Sequence, residues 1–335
     1  MRVAVLGRCQ YSMFSGSQAN ATLAVAECLR LQGHDVTLLS TNSTSWWDDI
    51  KELEKDWIGR IVPFDQYKGE RFDLLLESGQ SLNSGERRMA IAKKTVLVLR
   101  KHAAMEEIEH SLFPTSDTTR VWDGLSEIWM FDHMCNNDDI QIMETISRIP
   151  VRRLPYVWTP SIIEKHRQEL KSPLWIQMTH AHLEEKKLPI VPWAVHIAET
   201  NTTSTSSCTV PLLIVREMAL SKKMSFGSLR VHNAEHVYRS KFFQDNVWRH
   251  ARVEDLSGEF MGRQRIPDWV YEPMSICISH QRFTALRPML FDMAWVGIPF
   301  VHNSMVIRDI ECGLERYYYK DNRITEAMQA TTFKI

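Results

Sequence analysis

Arg2-Val3-Ala4-Val5-Leu6 is a short apolar run rich in β-branched residues. The polar, Gly-containing stretch Gly7 to Ser17 separates it from a segment in which Leu23, Ala26 and Leu29 recur at helical spacing. Gly33 supplies a stop for that helix, and Asp35 to Leu39 reads as a second strand. Strand, helix and strand in this order form a βαβ unit.

The alternation continues outward from this unit. Strands are expected at Phe72 to Glu77 and Thr95 to Leu99 with a helical segment from Asn83 to Lys94 between them, then at Ile128 to Phe131 and Arg152 to Trp158. Such alternation predicts an α/β fold built on a parallel sheet. After Pro155 and Pro160, the polar stretch Glu164 to Lys187 interrupts the series before it begins again. Strand Trp193 to Ala198, helix Val210 to Leu220 and strand Ser228 to Val231 follow, then strand Met274 to Ser279, helix Arg287 to Val296 stopped by Gly297, and strand Ile298 to His302. The expected organisation is therefore a Rossmann-like domain over 1–160, a linker with helical pieces over 161–190, and a second Rossmann-like domain over 191–335 that ends in a short tail.

Composition narrows the functional classes. The 335 residues suffice for two cores, and 44% hydrophobic with 24% charged residues is the balance of a globular protein. A formal net charge of -1 gives no electrostatic reason to expect nucleic acid as a partner. No apolar run approaches the length of a membrane span or of a signal-peptide core, so no transmembrane segment is expected. The six cysteines have neither disulfide-framework nor metal-type spacing, which points to a reducing, cytoplasmic setting.

In a parallel α/β sheet, ligands meet the loops beyond the carboxyl ends of the strands, where helix N-termini present unpaired N–H groups. The first such loop carries Gly16, but its spacing from Gly7 does not make a dinucleotide fingerprint, so no nicotinamide cofactor is expected. Glu199-Thr200-Asn201 ends a strand ahead of the hydroxyl-rich run Thr202 to Thr209. That run suits a diphosphate, or forms only solvated turns and caps. His232-Asn233-Ala234-Glu235-His236 ends another strand. Its two histidines are too few for a metal site, and none is expected. His280 and Gln281 can hold a ribose, a base edge or a phosphate. Asp292 in an apolar helix either turns to a ligand hydroxyl or serves as a solvent-facing or capping acid. In the first half, Glu77 and His102 stand at strand ends as candidate general bases, the alternative for each being a structural role.

The segments Val151 to Pro160, His232 to His236, Gly262-Arg263, Ser279-His280-Gln281, Asp292 to Pro299 and Val301-His302-Asn303-Ser304 together resemble an uncharacterised family with bacterial and viral members. That family is grouped with the GT-B glycosyltransferases. The resemblance implies two Rossmann-like domains facing each other across a cleft. The first would offer the acceptor and the catalytic base, Glu77 or His102, and the second would grip a nucleoside-diphosphate sugar. It places Glu199, Thr200 and Asn201 by the donor phosphates, Asn233 and Glu235 at the cleft, Arg263 as a cation for the leaving diphosphate, and His280, Gln281 and Asp292 around the nucleotide or sugar. Asp292 stands where many GT-B enzymes have a Glu, and Ala285 replaces their other Glu seven residues earlier. The implied activity is metal-independent, cofactor-free transfer of a sugar to a glycan or other hydroxyl acceptor in glycan synthesis, with retention or inversion open. A nucleotide-sugar epimerase of the same fold and a non-catalytic nucleotide-sugar-binding scaffold are the competing readings.

Overall fold

Val3, Ala4, Val5 and Leu6 are wholly buried in the computed structural model, on strand β1 (Arg2–Arg8). A strand covered on both faces belongs inside a parallel sheet with helices on either side. Accordingly β1 pairs in parallel with β2 (Asp35–Thr41), which pairs in turn with β3 (Ile61–Pro63), and on its other side with β4 (Phe72–Ser78). The structure describes residues 1–8, 17–41, 61–64, 67, 71–78, 81–89, 92–99, 102–112, 122–169, 171, 173–186, 192–222, 224–253, 256–310 and 313–330. The loop with Gly16, and Arg100 and Lys101, lie outside them.

The chain divides into two units, Met1–Lys165 and His166–Ile335. In the first, β5 (Ala92–Leu99), β6 (Glu127–Phe131) and β7 (Val151–Leu154) complete a seven-stranded sheet of order β3-β2-β1-β4-β5-β6-β7. Val3, Val5, Val36 and Leu38 on one face pack with Leu23 and Ala26 of helix Ser17–Leu31, while Ala4, Leu6, Leu39 and Leu75 build the core on the other. The second unit has β8 (Trp193–Ile197), β9 (Phe226–Val231), β10 (Gly258–Phe260), β11 (Ser275–Ile278) and β12 (Phe300–Val301), in the order β10-β9-β8-β11-β12. Every pairing within the two sheets is parallel. Both orders reverse beside their first strand, between β1 and β4 and between β8 and β11. Neighbouring loops diverge at such a switch point and leave room for a ligand.

Two expectations change. The strand expected over Arg152 to Trp158 stops at Leu154, because Pro155 has no N–H to donate to a ladder. The helix expected up to Lys94 ends at Met89, and β5 starts at Ala92. There the Lys93 and Lys94 ammonium groups each lie 2.7 Å from a carboxylate on an adjacent strand, Asp73 and Glu127. The described residues of the segment expected as a linker with helical pieces include two helices. The boundary between the units falls inside helix Ser161–Glu169, and helix Trp175–Lys186 is built into the second unit. Buried Trp175 donates to Ser275 Oγ at 3.1 Å, and Thr179 Oγ1 accepts from the Met274 N–H at 3.1 Å. Among the described residues no helix is long and apolar enough to cross a membrane.

His133 sits in the first unit against the rings of Phe131 and Tyr156, with neither ring nitrogen hydrogen-bonded. Burial pushes its pKa down to about 4, against about 6.5 for an unfolded histidine. The unfolded chain therefore binds this proton more readily. The ring's contribution to stability is full above about pH 6.5 and is lost as pH falls toward about 4. His133→Phe should reduce the loss of stability between about pH 7 and about pH 5 by roughly 2 kcal/mol, measured by urea unfolding of the first unit's signal at both pH values. An unchanged pH dependence would show that this ring is not buried in its neutral form.

Candidate functional site

The second unit's switch point is built around one buried carboxylate. Glu199 lies two residues beyond β8 with its side chain completely shielded from solvent. An isolated carboxylate could not stay ionised there, but this one is surrounded by donors. Oε1 accepts from Ser279 Oγ at 2.9 Å and from the His280 N–H at 3.0 Å. Oε2 accepts from Ser206 Oγ, from Gln281 Nε2 at 3.2 Å and from Arg287 Nη1 at 2.8 Å. Glu199 thus ties the loop after β8 to the loop after β11 and neutralises a largely buried guanidinium. Burial together with the charge of Glu199 pushes the thiols of Cys208 and Cys277 up to about 12, so both stay protonated.

Asn201 and Asn233 join the loops after β8 and β9. Both have positive φ, 54° and 49°, in the left-handed region that asparagine tolerates better than most residues. The Asn201 amide donates to the carbonyls of Glu199 and His232, each at 3.2 Å, and of Asn233 at 3.3 Å. Its Oδ1 accepts from the Cys208 N–H at 2.7 Å, at the start of helix Thr209–Leu220. Asn233 reciprocates by donating to the Thr200 carbonyl, and His236 Nε2 lies 2.8 Å from the Asn201 carbonyl. Much of the hydroxyl-rich run is engaged internally, with Thr203 and Thr205 hydroxyls 2.8 Å apart and those of Ser207 and Thr209 3.0 Å apart.

On the other side of the switch point, Gln281 is clamped through its backbone by Asn303, which accepts from its N–H at 2.8 Å and donates to its carbonyl at 2.7 Å. His280 is 2% exposed and its Nδ1 lies 2.8 Å from Tyr319 Oη. Tyr319 donates its own proton to the Ser279 carbonyl at 3.1 Å. It can therefore only accept from His280, which puts the imidazole proton on Nδ1. Nε2 is buried and makes no close hydrogen bond among the described residues. Burial holds this ring below the usual histidine range, against the opposing pull of Glu199 and the nearby Asn322 side chain.

The remaining candidates are less closely knit. The loop after β10 is stitched on by main-chain bonds from Asn233 N to Gly262 O at 3.1 Å and from Ala234 N to Met261 O at 2.8 Å, which brings exposed Arg263 beside the cluster. Glu235 is exposed and forms an ion pair with Arg239 one turn later. Asp292 is buried in helix Met289–Val296. Among the described residues no group of three or more His, Cys, Asp and Glu side chains could hold a metal.

Glu77 and His102 belong to the first unit, and each is held by its neighbours. Completely buried Glu77 receives Arg87 Nε at 2.6 Å, Arg87 Nη2 at 2.9 Å and the Leu82 N–H at 3.0 Å. His102 accepts the Met105 N–H at Nδ1, 3.3 Å away, and its Nε2 stands 3.5 Å from Asp139. Both side chains are thus engaged within their own unit. Asp139 itself closes the capping box of helix Asn137–Ser147 with Asn136.

Sequence reasoning missed Arg287 and Tyr319. Arg287 stood at an expected helix start, and Tyr319 lay in the segment read as a short tail. That segment instead runs beside β12, where Tyr319 N donates to His302 O at 2.9 Å and buries its ring.

Two solved structures share this architecture. One is an alpha-glucosyltransferase in complex with UDP-glucose and DNA containing an abasic site, 10% identical, with a TM-score of 0.55 over 90% of this chain and 79% of that one. Another is a glycosyltransferase from Rickettsia africae ESF-5, 11% identical, with a TM-score of 0.50 over 98% of this chain and 86% of that one. The chain therefore has an α/β fold with two parallel sheets similar to that of GT-B glycosyltransferases. No curated protein matches it. A family model described as "Protein of unknown function (DUF2827)" matches residues 14–334, and the chain belongs to that family.

Proposed function

We propose that the second unit binds a nucleoside-diphosphate sugar at the carboxyl edge of β8, β9 and β11, and that the protein transfers that sugar to an acceptor hydroxyl. The observation that carries this reading is the Glu199 cluster. A buried carboxylate fixes two loops at a topological switch point and presents Arg287 beside His280. Arg287 has guanidinium N–H groups beyond the one given to Glu199. With Arg263 on the adjoining loop it would neutralise a diphosphate as negative charge develops on the leaving group, without a metal. His280 Nε2 would accept from a ribose hydroxyl or a base N–H.

The experiment is a thermal-shift panel of nucleoside diphosphates on the full chain, starting with UDP because the alpha-glucosyltransferase was solved with UDP-glucose. At about 100 times its Kd a ligand that binds only the folded state adds about 2.7 kcal/mol, a rise of roughly 5–10 °C for a unit of this size. The shift should persist in EDTA and vanish in Arg287→Ala. No shift with any base from a folded sample would sink the donor-site reading.

A non-catalytic nucleotide-sugar-binding scaffold is the second reading. It is favoured by the engagement of Glu77 and His102 within the first unit. Donor binding without turnover across a set of hydroxyl acceptors would support it.

A further inference from the structure

Behind the Glu199 cluster runs a second chain of hydrogen bonds. Glu272 Oε2 lies 3.0 Å from His196 Nε2, and His196 Nδ1 lies 2.9 Å from His232 Nε2. Arg230 forms an ion pair with the same carboxylate. Burial pushes the Glu272 carboxyl up, but the His196 hydrogen bond and Arg230 outweigh it and hold it below its ordinary value, hence ionised. The indole of Trp269 stacks on both imidazoles, 4.9 Å from each, which fixes their planes.

With both imidazoles neutral, the direction of every bond in this chain follows from its end. A carboxylate can only accept, so His196 carries its proton on Nε2 and leaves Nδ1 bare. Bare Nδ1 must accept, so His232 carries its proton on Nε2 and its own Nδ1 is bare. That nitrogen is buried and has no hydrogen-bond partner among the described residues, on a residue 5% exposed. Leaving such an acceptor unsatisfied costs on the order of 1–3 kcal/mol. His232 is the first residue beyond β9, and the Asn201 amide holds its carbonyl, within the same loop cluster as Glu199.

We propose that His232 Nδ1 accepts an uncharged O–H or N–H of the bound nucleotide-sugar, and that Glu272 and His196 are positioning residues that keep it in the accepting tautomer. A phosphate does not fit there, because its oxygens are acceptors facing an acceptor lone pair. Protonation does not remove that conflict near neutral pH. Burial holds His232 down to about 3. The cluster then divides the ligand, with phosphates toward Arg287 and a hydroxyl or amide edge toward His232. This inference rests on the donor-site reading above.

The test reads imidazole nitrogens of the ¹⁵N-labelled full chain by long-range ¹H–¹⁵N correlation, free and saturated with UDP-glucose, UDP and 2′-deoxy-UDP, or the same three derivatives of whichever base raises the melting temperature. In the free protein His232 should show an unprotonated Nδ1 and a protonated Nε2, and saturation with the nucleotide-sugar should move the Nδ1 resonance. Movement with the nucleotide-sugar alone assigns a hydroxyl of the transferred sugar. Movement with UDP that is lost with 2′-deoxy-UDP assigns the ribose 2′ hydroxyl, and movement with all three assigns another ribose hydroxyl or the base N–H. His232→Phe keeps a ring against Trp269 and should weaken nucleotide-sugar binding about tenfold, the equivalent of one hydrogen bond. A protonated Nδ1 in the free protein overturns the inference, as does an unmoved Nδ1 at saturation with a nucleotide-sugar that stabilises the chain. A panel without any thermal shift removes the donor-site reading and this inference with it, whereas a shift with an unmoved Nδ1 removes this inference alone.

Discussion

Glu199→Ala is expected to destabilise the second unit by about 3–5 kcal/mol, since truncating one partner of a buried ion pair leaves the other charge uncompensated. Arg287 would lose its carboxylate, and Ser206, Ser279, Gln281 and the His280 N–H would each lose an acceptor where water has little access. At roughly 2–4 °C per kcal/mol for a unit of this size, the melting temperature should fall by about 6–20 °C. Nucleotide binding should disappear as well, because the loops after β8 and β11 no longer share a fixed point. Glu199→Gln keeps the volume but lacks the charge, so it should recover part of the stability and little of the binding. A Glu199→Ala protein that melts like the parent would show that this carboxylate is not the hub its contacts describe.

A comparable loss is expected in the first unit from Glu77→Ala. Arg87 is 5% exposed and gives Glu77 two of its donors. It also donates to the Asp123 carbonyl at 2.7 Å and to Ser81 Oγ at 2.8 Å. About 3–5 kcal/mol should be lost. The pair Glu77→Met with Arg87→Met should recover much of it, because two apolar side chains of similar volume avoid the burial of an unpaired charge. Urea unfolding of the single and double variants measures both effects. If Glu77→Ala left stability intact and removed only turnover, Glu77 would be a catalytic base after all.

Much of the fold was legible because burial on both faces writes itself as uninterrupted apolar runs, such as Val3 to Leu6 and Ile276 to Ile278. Helix stops were legible too: Gly33 and Gly297 take φ of 82° and 86°, a region costly for other residues. The short strands β3 and β10 escaped notice. One ends in Pro and the other begins with Gly, and each lies at a sheet edge, where main-chain pairing needs no apolar pattern. The loops of the site were legible from their positions at strand ends, but the direction of their side chains was not. Glu199, Asn201 and Asn233 were expected beside a donor, and nothing in their spacing showed that their side chains also hold the adjoining loops together. Spacing along a chain cannot reveal that Glu199 meets His280, a partner supplied by a different strand. The same ignorance hid Arg87, which forms a buried pair with the candidate base Glu77.

Tyr319 also makes the far end of the chain a structural part of the second sheet. A chain cut short before it would keep β8, β9, β11 and β12, yet the His280 Nδ1 would lose the tyrosine hydroxyl that faces it and the Ser279 carbonyl would lose a donor. The whole sheet can thus be present while the loop after β11 lacks the contact that the segment beside β12 supplies.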